Sequence, residues 1–109
     1  MSKGNKDIIL AILKYLNDSM DEEKIDFSKV NEKSLDVSYP RYCRVLTMMV
    51  DEGLISGLAP ITFMESTYTE YKPVSPIITL KGIDYLEENK LTKRAYAFLK
   101  EKREWVPGM

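Results

Sequence analysis

The chain has no histidine among its 109 residues. That removes the side chain most used as a general base, as a zinc ligand and as a proton switch near neutral pH. Its single cysteine, Cys43, excludes an internal disulfide and any cysteine-built metal site, and fits a reducing compartment. Only five glycines are present, and none forms a phosphate-cradling loop or a Gly-x-Ser-x-Gly elbow. Long apolar runs are missing too. The longest, Ile8 to Leu13, is six residues, against the roughly 20 that a membrane-spanning helix needs. The mildly basic start, Met1 to Lys6, is not followed by a small-residue cleavage site. The expectation is a cytoplasmic protein with no membrane partner.

Charge of one sign is also lacking. Sixteen Lys+Arg face seventeen Asp+Glu, a net charge of -1. This argues against a nucleic-acid coat or a polybasic membrane binder. No pair of carboxylates sits in an apolar setting that would split their pKa values, so no enzyme, metal, cofactor or small-molecule substrate is expected. What is present is ordinary for one globular domain: 44% hydrophobic and 30% charged residues.

Hydrophobic spacing orders the chain. Asn5 caps a first helix over about 6–20, with Ile9, Ile12, Leu13, Leu16 and Met20 on one face. Ser28 caps a short helix near 28–35 that carries Val30 and Leu35. Ser38 before Tyr39-Pro40 opens a third helix over about 39–52, closed by Gly53. Its inward residues are Tyr42, Val45, Leu46 and Met49. Residues 54–78 then lose the helical period and suit a hairpin. Its returning strand holds Pro73 and Pro76 and is expected to be short or an edge. Thr79 caps a helix to about Glu88, with Leu80, Ile83 and Leu86 on one side. Thr92 caps a last helix running to Val106. This gives a flexible N-terminus at 1–6, a domain at 7–89, a C-terminal helix at 90–106 and a tail at 107–109.

The order helix, helix, helix, hairpin, helix, helix is an α+β arrangement on the winged helix-turn-helix plan: a three-helix core, a β-hairpin wing and extra C-terminal helices. On that plan the third helix is the recognition helix. A step of 100° per residue puts Arg41, Arg44, Thr47, Met48 and Asp51 outward. Arg41 and Arg44 would contact double-stranded DNA, supported by Tyr39, Thr47 and Lys72. The competing reading is a solvated helix face. The wing is poor in charge for DNA: Lys72 stands against Glu65 and Glu70, and Phe63, Tyr68 and Tyr71 make it aromatic. That suits a packed hairpin or a protein-binding edge.

Residues 90–105 carry six cations and two anions. Lys93, Arg94, Lys100, Arg103 and Trp105, with an exposed Met48, form a second candidate surface for a partner. The last helix packs either on the first helix or on a second subunit of a homodimer. Cys43 reads as a small buried hydrophobe.

Two blocks carry a family likeness. One runs from Val37-Ser38 through Val45-Leu46 to Asp51-Glu52-Gly53-Leu54-Ile55. The other runs from Ile78-Thr79-Leu80-Lys81-Gly82-Ile83 to Asn89, followed by Lys93-Arg94-Ala95-Tyr96 and Trp105. The chain resembles the YjcQ-type family of small Gram-positive bacterial and prophage proteins from about Lys6 to Val106, with segment 57–77 departing most from the pattern. The resemblance implies the winged-helix fold and carries over no catalytic or ligand residue. The leading functional expectation is a DNA-binding winged-helix protein, such as a phage or prophage transcription regulator. The alternative is a winged-helix protein-interaction module that does not bind DNA.

Overall fold

The computed structural model describes residues 4–89. Helix α1 spans Asn5–Asp18. Its cap is Gly4, one residue before the expected Asn5. The Gly4 amide donates to Asp7 Oδ2 at 3.1 Å, so the first turn is tied down where a frayed end was expected. Ile12, Leu13 and Leu16 are buried, as the spacing requires, but the fully buried residue of the first turns is Ile8, and the expected Ile9 is only half-buried at the edge of the core. Met20 is half exposed, because the helix ends before it and no longer aims it at the core.

The second helical region is two pieces. A 3-10 turn at Phe27–Val30 is capped by Asp26, and helix α2 at Glu32–Leu35 is capped by Asn31. Asn31 Oδ1 accepts from the Ser34 amide at 2.8 Å. That local side-chain bond competes with helix continuation and splits the segment. Ser28, expected as a cap, lies inside the 3-10 turn; its hydroxyl donates to Asp26 Oδ1.

Helix α3 spans Tyr39–Asp51, with Pro40 in its first turn and Ser38 Oγ accepting from the Arg41 amide. Tyr42, Val45, Leu46 and Met49 are buried, and so is Cys43. Gly53 follows at φ 75°, the left-handed conformation that lets the chain leave the helix.

Strands β1, Ile55–Ile61, and β2, Glu70–Ile78, form a two-stranded antiparallel hairpin. Ile55 pairs with Ile78 and Ile61 with Glu70. Between Ser56 and Leu58 the register shifts, and Gly57 (φ 83°) faces the extra residues of β2. A side chain at Gly57 would strike the Ser75 carbonyl. Strand β2 is nine residues long despite its prolines. In a two-stranded sheet each strand has a free edge, so a missing N–H costs no ladder bond there.

Thr79 caps helix α4, residues 80–89: its hydroxyl donates to the Gly53 carbonyl and accepts from the Gly82 amide. Leu86 is buried and Ile83 half-buried, but Leu80 is 82% exposed. The helix turns its first residue to solvent because Gly82, not Leu80, faces the hairpin base. A Cβ on Gly82 would collide with the Leu54 carbonyl.

One core joins these elements. It gathers the α1 and α3 residues with Phe27, Val30, Leu35, Leu54, Ile55, Ile78 and Leu86. Among the described residues no helix is long and apolar enough to cross a membrane. The expected helix at 90–106 and tail at 107–109 lie outside the described residues.

Candidate partner surface of the third helix and hairpin

The outward side of α3 is engaged with the rest of the chain. The Tyr39 hydroxyl donates to Glu70 Oε1 at 2.9 Å. Arg41 Nε donates to Asn5 Oδ1 at 3.0 Å, which ties α3 to the start of α1. Arg44 Nη2 donates to Thr67 Oγ1 at 3.1 Å, and its guanidinium lies 5.6 Å from the centre of the Tyr68 ring. Thr47 Oγ1 is bonded to the Cys43 carbonyl and shares a 3.0 Å hydrogen bond with the Tyr71 hydroxyl.

Four of the five residues expected to meet DNA therefore hold intramolecular partners. Arg44 and Lys72 stay exposed, and Tyr39, Arg41 and Thr47 are half-buried. Lys72 sits on β2 opposite Ala59, away from the tip that Arg44 touches. Met48 is exposed, as expected. Lys93, Arg94, Lys100, Arg103 and Trp105 lie outside the described residues.

The contacts converge on the hairpin tip, residues 62–69. Tyr68 meets the Tyr39 ring edge-on at 6.1 Å. Ser66 Oγ bonds the Tyr68 backbone at its carbonyl and its amide. This pinned tip displays Phe63, 53% exposed, and Met64, 98% exposed. Sequence reasoning missed Glu70, Thr67 and Tyr68 as partners of α3. Their register against the helix depends on the length of β1, which no local pattern encodes.

A cleft of about 270 Å³ opens beside this face of α3 and shares Tyr39 and Tyr71 with it. The 3-10 turn contributes Phe27, α2 contributes Glu32, α3 contributes Tyr39, Tyr42 and Cys43, and β2 contributes Tyr71. The Tyr39 and Tyr42 rings stack at 6.5 Å. Burial raises the pKa of both phenols well above its ordinary value, helped for Tyr39 by the Glu70 bond and for Tyr42 by the Glu32 charge. Burial also pushes the Cys43 thiol up, so it stays protonated at neutral pH. Among the described residues no three His, Cys, Asp or Glu side chains gather as a metal site.

Helices followed by an antiparallel hairpin, all on one core, define an α+β protein whose layout is compatible with a winged helix. The chain belongs to the YjcQ family: the family model described as "YjcQ protein" matches residues 10–105. No curated protein and no solved structure matches the chain.

Proposed function

We propose that the protein is a non-catalytic winged-helix module that binds another protein through its hairpin tip and the adjoining face of α3. The observation that carries this reading is the tip. Phe63 and Met64 are held outward by a segment that Arg44 and Tyr39 anchor. An exposed aromatic–methionine pair beside such an anchor suits the centre of a protein interface. A DNA wing would carry cations at this place, and this one carries Glu65. Charge agrees. Residues 4–89 hold nine Lys+Arg against fifteen Asp+Glu, so the described body is acidic. A homodimer through the C-terminal segment 90–106 is a separate expectation, compatible with this reading.

The test is co-purification from the source cell, followed by hydrogen exchange on the isolated complex. Protection over residues 61–70 and along α3, lost in the double variant Phe63→Ser, Met64→Ser, is expected. A partner that binds the double variant equally well overturns the proposal.

One observation favours the second reading, a DNA-binding regulator of phage or prophage type. Arg44 is exposed in the first half of α3, and residues 90–105 carry an excess of four positive charges. Fluorescence anisotropy with a mixed-sequence duplex separates the two. DNA binding would appear at micromolar protein in low salt, weaken steeply as salt rises, and fall in Arg44→Ala.

A further inference from the structure

We propose that the cleft between α2, α3 and β2 is a binding site for an organic cation, a quaternary ammonium or guanidinium group. Three observations meet there. First, its walls are aromatic, with Phe27, Tyr39, Tyr42 and Tyr71 drawn from three elements. Aromatic enclosures attract such cations through the ring quadrupole, and they suit soft, weakly hydrated ones best.

Second, the Tyr42 hydroxyl has no hydrogen-bond partner among the described residues, although only 5% of the residue is exposed. Every fully enclosed polar side-chain atom of the described residues does have a partner. The Tyr42 hydroxyl is therefore not fully enclosed, and Tyr42 is one of the residues that line the cleft. A tyrosine this buried ordinarily finds a partner, and the N–H groups of a guanidinium would supply one, whereas a quaternary ammonium would meet only the oxygen's dipole.

Third, the only charged side chain lining the cleft is Glu32. It is half-buried in the first turn of α2 and makes no ion pair with a described residue. Glu32 and Tyr42 line the same cleft, and the Glu32 charge bears on the Tyr42 phenol. No lysine or arginine lines the cleft. The volume of about 270 Å³ admits a trimethylammonium head or a guanidinium with part of the group that carries it.

The site shares Tyr39 with the anchor of the hairpin tip, but Glu32 and Tyr42, whose variants test it, make none of the tip's hydrogen bonds, so the two readings fail separately. The cation can be free or can be carried on a polypeptide side chain.

The experiment is an amide-resolved NMR titration of the full chain. The probes are choline, its neutral isostere 3,3-dimethylbutanol, ethylguanidinium, and an end-blocked tripeptide with a central arginine. Choline or ethylguanidinium should shift amides around Phe27, Glu32, Tyr42 and Tyr71. Affinity should fall about tenfold in Glu32→Gln, and again in Tyr42→Phe, which keeps the ring packing. The isostere should bind at least about tenfold more weakly than choline. Tripeptide binding tighter than ethylguanidinium assigns the cation to a polypeptide, and equal binding assigns a free small molecule. Equal binding of choline and its isostere, an unchanged affinity in Glu32→Gln, or no shifts in the cleft at tens of millimolar cation would each overturn the proposal.

Discussion

The Tyr39 hydroxyl and the Glu70 carboxylate meet at 2.9 Å across 31 residues of chain, joining the first turn of α3 to the first residue of β2. The bond is half-buried and fixes where the hairpin lies against the helix. Tyr39→Phe removes the donor and leaves the carboxylate facing a partly dry contact. A loss of about 1 kcal/mol is expected in urea unfolding. Glu70→Gln keeps an acceptor and should cost less. Equal stability of wild type and Tyr39→Phe would show that the bond only exchanges with water.

Arg44 holds the tip by one hydrogen bond from its guanidinium to a neutral hydroxyl and by a ring contact, both at an exposed site. Arg44→Ala should therefore cost under about 1 kcal/mol in global stability. Its local effect should be larger. Hydrogen exchange at Ser66 and Tyr68 is expected to quicken, while amides in α1 stay unchanged. Quickening spread evenly over the chain would instead make Arg44 part of the global fold.

Alkaline pH should destabilise the protein through Tyr39 and Tyr42. Both phenols have folded pKa values raised above the ordinary 10.0, chiefly by burial. The unfolded chain therefore loses these protons first. Their contribution is complete below about pH 10 and is lost as pH rises through the folded values. Unfolding free energy measured from pH 8 to 11 should fall, and fall more steeply above about pH 10. Tyr42→Phe should flatten that slope by up to one proton, and an unchanged slope would mean that this phenol titrates alike in the folded and unfolded chain.

The helices were legible because their spacing is local. Ser38-Tyr39-Pro40 and Gly53 bracket α3 within a residue of its observed ends, and the four inward residues follow from a 3.6-residue period. Asn31 was not legible as a break. Its side-chain bond to the Ser34 amide competes with a pattern that reads as continuous helix. Leu80 was misplaced because an apolar residue after a cap was assumed to face inward, whereas the close approach of Gly82 to Leu54 sets the roll of α4. The partners of α3 were hidden for a third reason. Contacts of Thr67, Tyr68 and Glu70 with the helix depend on strand register, which two distant segments set jointly.

That roll can be tested against the other glycines. Gly82 has an ordinary helical place, but a Cβ there would meet the Leu54 carbonyl, which is backbone and slow to yield. Gly82→Ala should cost about 1–3 kcal/mol by overpacking, although alanine is the better helix former. Gly57 suffers both a left-handed φ and a backbone collision with Ser75, so Gly57→Ala should cost at least as much. Gly53 has φ 75° but open space around it, its nearest neighbour being the flexible end of Lys81 at 3.9 Å. Gly53→Ala should therefore show only the conformational penalty, about 1–2 kcal/mol. Leu80→Ser, at a solvent-facing site, should stay within about 0.5 kcal/mol, while Leu86→Ala should lose about 2–5 kcal/mol. Thermal or urea unfolding of the five variants checks the ranking. A neutral Gly82→Ala paired with a costly Leu80→Ser would mean that α4 packs on its other face.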